Sequence, residues 1–141
     1  MHQPTVQDFQ SLKRILRYVK GTKHHGLPII PGDSQLCTYT DADWASDTSD
    51  RKSITGHFTF MGPNLISWFI KEQVTVAKSS TEAEYRALSA ATSETIWLRH
   101  LSAKLRLEQN IPTTIYCDNI SAIAIAKNPV FHGRTKHIEI D

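Results

Sequence analysis

Apolar positions in residues 5–20, TVQDFQSLKRILRYVK, fall at Phe9, Leu12, Ile15, Leu16 and Val19, a spacing that predicts a helix with one apolar face. Gly21 is its expected stop. Lys13, Arg14, Arg17 and Lys20 occupy much of the remaining surface, which reads either as a solvated face or as one lying near phosphates. The following GTKHHGLPIIPGD, rich in glycine and proline, predicts a linker and a domain boundary near residue 33. Beyond it the period changes. Residues 35–42, 54–62 (ITGHFTFMG) and 64–70 (NLISWFI) predict three strands, the last two forming a hairpin through Gly62-Pro63-Asn64. QVTVA, 73–77, either prolongs the third strand or stands as a short piece of its own.

A long helix is predicted next. Ser80 or Thr81 can cap it, with Glu84 three residues after Thr81 in a capping-box arrangement, and it runs without glycine or proline to about Leu105. TTIYCD, 113–118, predicts a short strand ending in an acid. NISAIAIAK, 119–127, predicts a helix that Pro129 ends, and GRTKHIEID reads as the first turns of one more helix that the chain does not finish. The order βββαβα, with that truncated helix, is of the α/β class.

Composition narrows little. The chain has 141 residues, 40% of them hydrophobic and 21% charged, which excludes wholesale disorder and fits one domain with a core. A formal charge of +2 permits nucleic-acid binding without arguing for it. No apolar run approaches the roughly 20 residues needed to cross a bilayer, and the N-terminus lacks the features of a signal peptide, so an intracellular protein is expected. Cys37 and Cys117 lack C-x-x-C spacing, which argues against a structural zinc site.

The chemistry lies in acids at the ends of elements. CTYTD and TIYCD share one local grammar, so Asp41 and Asp118 each end a strand. Crevices beyond adjoining strand ends are where α/β sheets usually bind ligands. Tyr39, Asp41 and, if the strand persists, Asp43 point one way. Glu84 shares a helix stripe with Leu88, Ala91, Thr95 and Leu98, which carries it over the sheet. Taken singly, each acid reads as a turn former or a helix cap. Taken together they repel, two unit charges about 4 Å apart by about 4 kcal/mol at an effective dielectric of 20. Protonation or hard divalent cations would relieve that repulsion, and oxygen ligands select Mg²⁺ or Mn²⁺ over zinc.

The segments YTDADWASD, DRKSITGHFTFMG, NLISW, VAKSSTEAEYRAL and YCDNISAIAIAKNPVFHGRTKHIEID carry a family likeness. In order and spacing, residues 34–141 resemble the ribonuclease H domain of copia-type LTR retrotransposon Pol polyproteins. Residues 1–33, through SLKRILRYVKGTKHHGL, resemble the reverse-transcriptase tail that precedes that domain. The resemblance implies a ribonuclease H-like fold, a mixed five-stranded sheet with helices on its faces. It implies hydrolysis of the RNA strand of RNA–DNA hybrids with two Mg²⁺ ions, Mn²⁺ being possible, held by Asp41, Glu84, Asp118 and Asp141. Asp43 is a candidate for a supporting role, and His132 for assisting product release.

Lys78-Ser79-Ser80-Thr81, at the entry to the long helix, could donate to sugar or phosphate oxygens, or Ser80 and Thr81 could merely cap. The implied partners are an RNA–DNA hybrid, the reverse transcriptase and other Pol domains, with no membrane. The implied location is the cytoplasm, within a virus-like particle. The alternatives are a non-catalytic hybrid- or duplex-binding module, or a structural fragment of the polyprotein. If Asp41 and Asp118 end adjacent strands, Cys37 lies about 13 Å back along its strand and Cys117 faces away from its neighbouring acid, so both are expected as free thiols.

Overall fold

The computed structural model describes residues 4–46 and 48–127. Helix α1 (Val6–Thr22) is opened by a capping box: Asp8 N–H donates to the Thr5 hydroxyl, and the Asp8 carboxylate accepts from Thr5 N–H. Gly21 does not stop it. The helix passes through that glycine, which has no neighbouring atoms to meet, and ends at Thr22. No described element packs against α1, and none of its residues is buried.

The predicted meander forms as β1 (Leu36–Asp43), β2 (Ile54–Met61) and β3 (Asn64–Glu72), each antiparallel to the next. The long helix is α2 (Ser80–Lys104), followed by β4 (Thr114–Tyr116) and α3 (Ile120–Lys127). The sheet order is β3-β2-β1-β4, with β4 parallel to β1. Among the described residues the sheet therefore has four strands, not the five that the family likeness implied. No helix among them is long and apolar enough to cross a membrane. QVTVA is neither strand nor extension. Gln73 turns inward, donating to the Thr55 hydroxyl and to the Ala83 carbonyl, and this ends β3.

Residues alternate along the strands, and the even positions of β1 (Leu36, Thr38, Thr40) face α2 together with Thr55, His57 and Thr59 of β2. The helix meets them with Ala83, Ala87 and Ala91, all fully buried, so its backbone approaches the sheet closely. The seam is held by hydroxyls as much as by apolar contact. Thr38 Oγ1 lies 2.9 Å from Thr59 Oγ1 and 3.0 Å from Thr95 Oγ1, linking two strands and the helix. The opposite face is aromatic. Tyr39 stacks on Tyr116 at 4.7 Å and meets Phe60 edge-on at 5.9 Å, while Phe58 pairs across the ladder with exposed Trp68.

The Gly/Pro-rich linker is pinned to the hairpin. Asn64 accepts from Ile30 N–H at 2.6 Å and donates to Ile30 C=O at 2.9 Å. Gly62 turns the hairpin with φ of +53°, and a Cβ there would strike the Asp33 carbonyl.

Candidate metal centre

The parallel register of β1 and β4 places Tyr39 opposite Tyr116. Two residues beyond each tyrosine comes an acid, Asp41 and Asp118, so the two carboxylates leave the sheet side by side at the same end. Two hollows meet there. One, of about 280 Å³, is lined by Tyr39, Asp41, Tyr116, Cys117 and Asp118; the other, of about 270 Å³, opens over Asp41, Asp43, Gly56 and Phe58. Asp43 is exposed on that second side.

The third acid is delivered by α2. Trp44, just past β1, donates its indole N–H to the Ala77 carbonyl at 3.1 Å and ties the segment before α2 to the end of β1. The helix then starts two residues earlier than Thr81 capping would require. Ser79 is the N-cap, accepting from Glu82 N–H at 3.2 Å, and Glu82 accepts from Lys78 N–H and pairs with Arg86. Glu82 serves the helix start. Glu84 is thereby free of capping and is only 6% exposed.

Burial pushes the Glu84 carboxyl up to about 7; the Ala42 N–H that donates to it opposes the shift, and the charges of Asp41 and Asp118 and a hydrogen bond with Asp41 add to it. Cys117 Sγ lies 3.9 Å from Glu84 Oε2, and donor atoms of Glu84, Cys117 and Asp118 all fall within 4.8 Å of one another. Cys117 thus faces the acids, contrary to the expected orientation. Tyr116 is the last residue of β4, so strand alternation no longer governs position 117. Burial raises the thiol's pKa, the Asn119 amide opposes this, and the neighbouring carboxylates reinforce it, so Cys117 is a protonated donor here. Cys37 and Cys117 are free, as expected.

The structure thus brings together Asp41, Glu84 and Asp118. Asp141 and His132 lie outside the described residues. Ser79 is committed to the cap, Ser80 is exposed and Thr81 is half-buried at the helix entry. Two contributors were missed in the sequence, Cys117 and Trp44. The signal for Trp44 was its place in DADWAS, since an indole N–H at such a junction usually finds an acceptor.

The donor set fits a hard divalent cation. Three carboxylates converge, one of them pushed toward neutrality by burial and then by the charges of the other two, and oxygen donors of this kind suit Mg²⁺ or Mn²⁺. Asp41, Glu84 and Asp118 are the residues that could hold it.

No protein-family model matches the chain. It is 46% identical over 142 aligned positions to a retrovirus-related Pol polyprotein from transposon RE1 of Arabidopsis thaliana, and 45% identical to that from transposon RE2 of the same plant. Both alignments cover 100% of this chain and 10% of the relative. The Pol polyprotein from transposon TNT 1-94 of Nicotiana tabacum is 44% identical over 99% of the chain, again a tenth of the relative's length.

Proposed function

From a chain whose homologues along its whole length are transposon Pol polyproteins, we propose a metal-dependent ribonuclease H that hydrolyses the RNA strand of RNA–DNA hybrids. The observation that carries this reading is the convergence of Asp41, Asp118 and the buried Glu84 at one end of the sheet. A module that only bound duplexes would gain nothing from three mutually repelling acids.

Asp41, Glu84 and Asp118 are the residues that would hold two Mg²⁺ or Mn²⁺ ions, which when bound would make water a better nucleophile and stabilise charge on the leaving oxygen. The reaction forms a bond from water oxygen to phosphorus and breaks the bond from phosphorus to the 3′-oxygen, leaving a 5′-phosphate and a 3′-hydroxyl. This chain's own residues do the positioning. The Ala42 amide fixes the Glu84 carboxylate, and the Trp44–Ala77 bond sets where α2 begins. Recognition of RNA falls to 2′-hydroxyl contacts, for which exposed Ser80 and neighbouring Thr81 are the available hydroxyls. The other Pol domains are the implied protein partners.

The test is a labelled RNA–DNA hybrid incubated with the full chain and Mg²⁺, with and without a chelator. Cleavage that the chelator stops, and that Asp118→Asn or Glu84→Gln abolishes while hybrid binding persists, is the expected result. Cleavage surviving both substitutions, or no cleavage at any millimolar metal concentration, overturns the reading.

A further inference from the structure

We propose that α1 is a tethered cationic arm that grips the phosphates of the same hybrid the acid site cleaves; this rests on the ribonuclease reading and extends the substrate contact beyond the sheet. From Leu12 onward the helix separates cations from aliphatic residues, while Val6 in its first turn shares the cationic side. At about 100° per residue, Lys13, Arg14, Arg17 and Lys20 fall within an arc of about 120°, and Leu12, Ile15, Leu16 and Val19 fall within an arc of about 100° on the far side. The only acid in α1, Asp8, is held in the capping box and opposes none of these cations directly. Lys13 Nζ rides 4.6 Å from the centroid of the Phe9 ring, which holds its stem along the helix and leaves the ammonium at the arc.

The cationic arc is free to meet a partner because no described element packs on α1. The polyanion that complements it is already required by the acid site. The tether holds the two on one domain, its anchor at Asn64 lying level with Leu36, roughly 17 Å along β1 from Asp41 at 3.3 Å per residue. Asn64 pins Ile30 to the hairpin by two hydrogen bonds, so the eight residues from Lys23 to Ile30 separate the end of α1 from the domain. Fully extended, they reach about 26–29 Å, somewhat short of one turn of a nucleic-acid duplex at roughly 34–36 Å. A second phosphate-binding element on so short a tether acts at an effective concentration on the order of millimolar. Such an arm reads no sequence. It adds affinity and salt dependence.

The apolar arc raises a rival occupant, since basic amphipathic helices also lie on anionic membranes. Charge complementarity favours nucleic acid, because the tether joins α1 to a domain whose acid site, at the end of the sheet opposite the Asn64 anchor, calls for a polyanion long enough to span both.

The experiment compares the full chain with a variant carrying Lys13→Ala, Arg14→Ala, Arg17→Ala and Lys20→Ala, and with a Leu12→Ala, Leu16→Ala control. Affinity for an RNA–DNA hybrid is measured across salt concentrations, alongside cleavage and the melting temperature. The quadruple variant is expected to bind at least tenfold more weakly at low salt. The slope of log affinity against log salt should be shallower by about 3, since each of the four phosphate contacts contributes roughly 0.7–0.9. The melting temperature should be unchanged, and the leucine control should keep the full slope. An unchanged slope overturns the proposal, and so does loss of binding confined to the leucine variant together with binding to phosphatidylserine vesicles. Cleavage by the unsubstituted chain separates the two claims. A chain that cleaves with an α1-independent slope refutes the arm alone, and one that binds through α1 without cleaving refutes the nuclease alone.

Discussion

Cys117 Sγ and Glu84 Oε2 are 3.9 Å apart, a thiol donor facing a buried carboxylate that already lies beside two other acids. The contact places an uncharged group where a fourth charge would be hardest to bear.

Glu84→Gln is therefore expected to stabilise the metal-free protein at pH 8, by about 3 kcal/mol, while removing cleavage. The sign follows from its pKa. The group lies at about 7 when folded against 4.5 for the ordinary value, so the folded state holds its proton more tightly, and stability falls as pH rises from about 4.5 through 7. Melting curves in chelator from pH 5 to 8 should show that fall in the unsubstituted chain and not in the variant. Millimolar Mg²⁺ should restore stability at pH 8 to the unsubstituted chain alone. A variant less stable in chelator at pH 8 would contradict the crowded-acid account.

His57 works the other way. It is 4% exposed, stacks on Phe69 at 5.2 Å, and neither ring nitrogen has a hydrogen-bond partner among the described residues. Burial lowers its pKa from 6.5, only partly offset by the charge of Glu94 on α2. The folded state thus resists its protonation, and the stability it contributes above pH 6.5 is lost as pH falls through the depressed value. His57→Phe should lessen the loss of stability as pH falls below about 6.5, leaving that of the carboxylates. Measured in the Glu84→Gln background, where the opposing titration is gone, the effect should be larger.

Trp44→Phe keeps the ring and removes the N–H that reaches the Ala77 carbonyl. Ala77 is 3% exposed, so its oxygen is left without that donor in a dry place, at a cost of about 1–2 kcal/mol. Because this bond locates the start of α2, the rise in melting temperature produced by Mg²⁺ should shrink as well. Unaltered metal stabilisation would mean that the helix start is fixed by Ser79 alone.

Two glycines should respond in opposite senses. Gly62→Ala forces a side chain to φ of +53° and into the Asp33 carbonyl, and should cost roughly 2–3 kcal/mol in chemical denaturation. Gly21→Ala meets nothing and lies inside α1, where alanine favours helix by roughly 0.8–1 kcal/mol. It should raise helical content without moving the unfolding midpoint of the sheet domain.

The meander, the long helix and the short fourth strand were legible in the sequence because alternation and helical spacing are strong there, and Asp41 and Asp118 were legible because each closes its strand. The start of α2 was not. Ser79, Ser80 and Thr81 are three chemically equivalent caps in a row, and the choice fell to Glu82, whose side chain bonds Lys78 and Arg86. QVTVA has strand composition, but Gln73 satisfies its amide on Thr55 and Ala83 instead of continuing the ladder. The orientation of Cys117 was hidden because β4 ends at Tyr116, one residue short of it. The linker's pin was hidden because it depends on Asn64, which reads as an ordinary turn residue.

The parallel pairing of Cys37 with Thr114 also sets a chronology. The meander closes through short local turns, whereas β4 must return across all of α2, and such distant pairings come slowly in folding. On that ground Asp118 is expected to join Asp41 late, once the hydroxyl-bonded seam of Thr38, Thr59 and Thr95 can withstand the two charges.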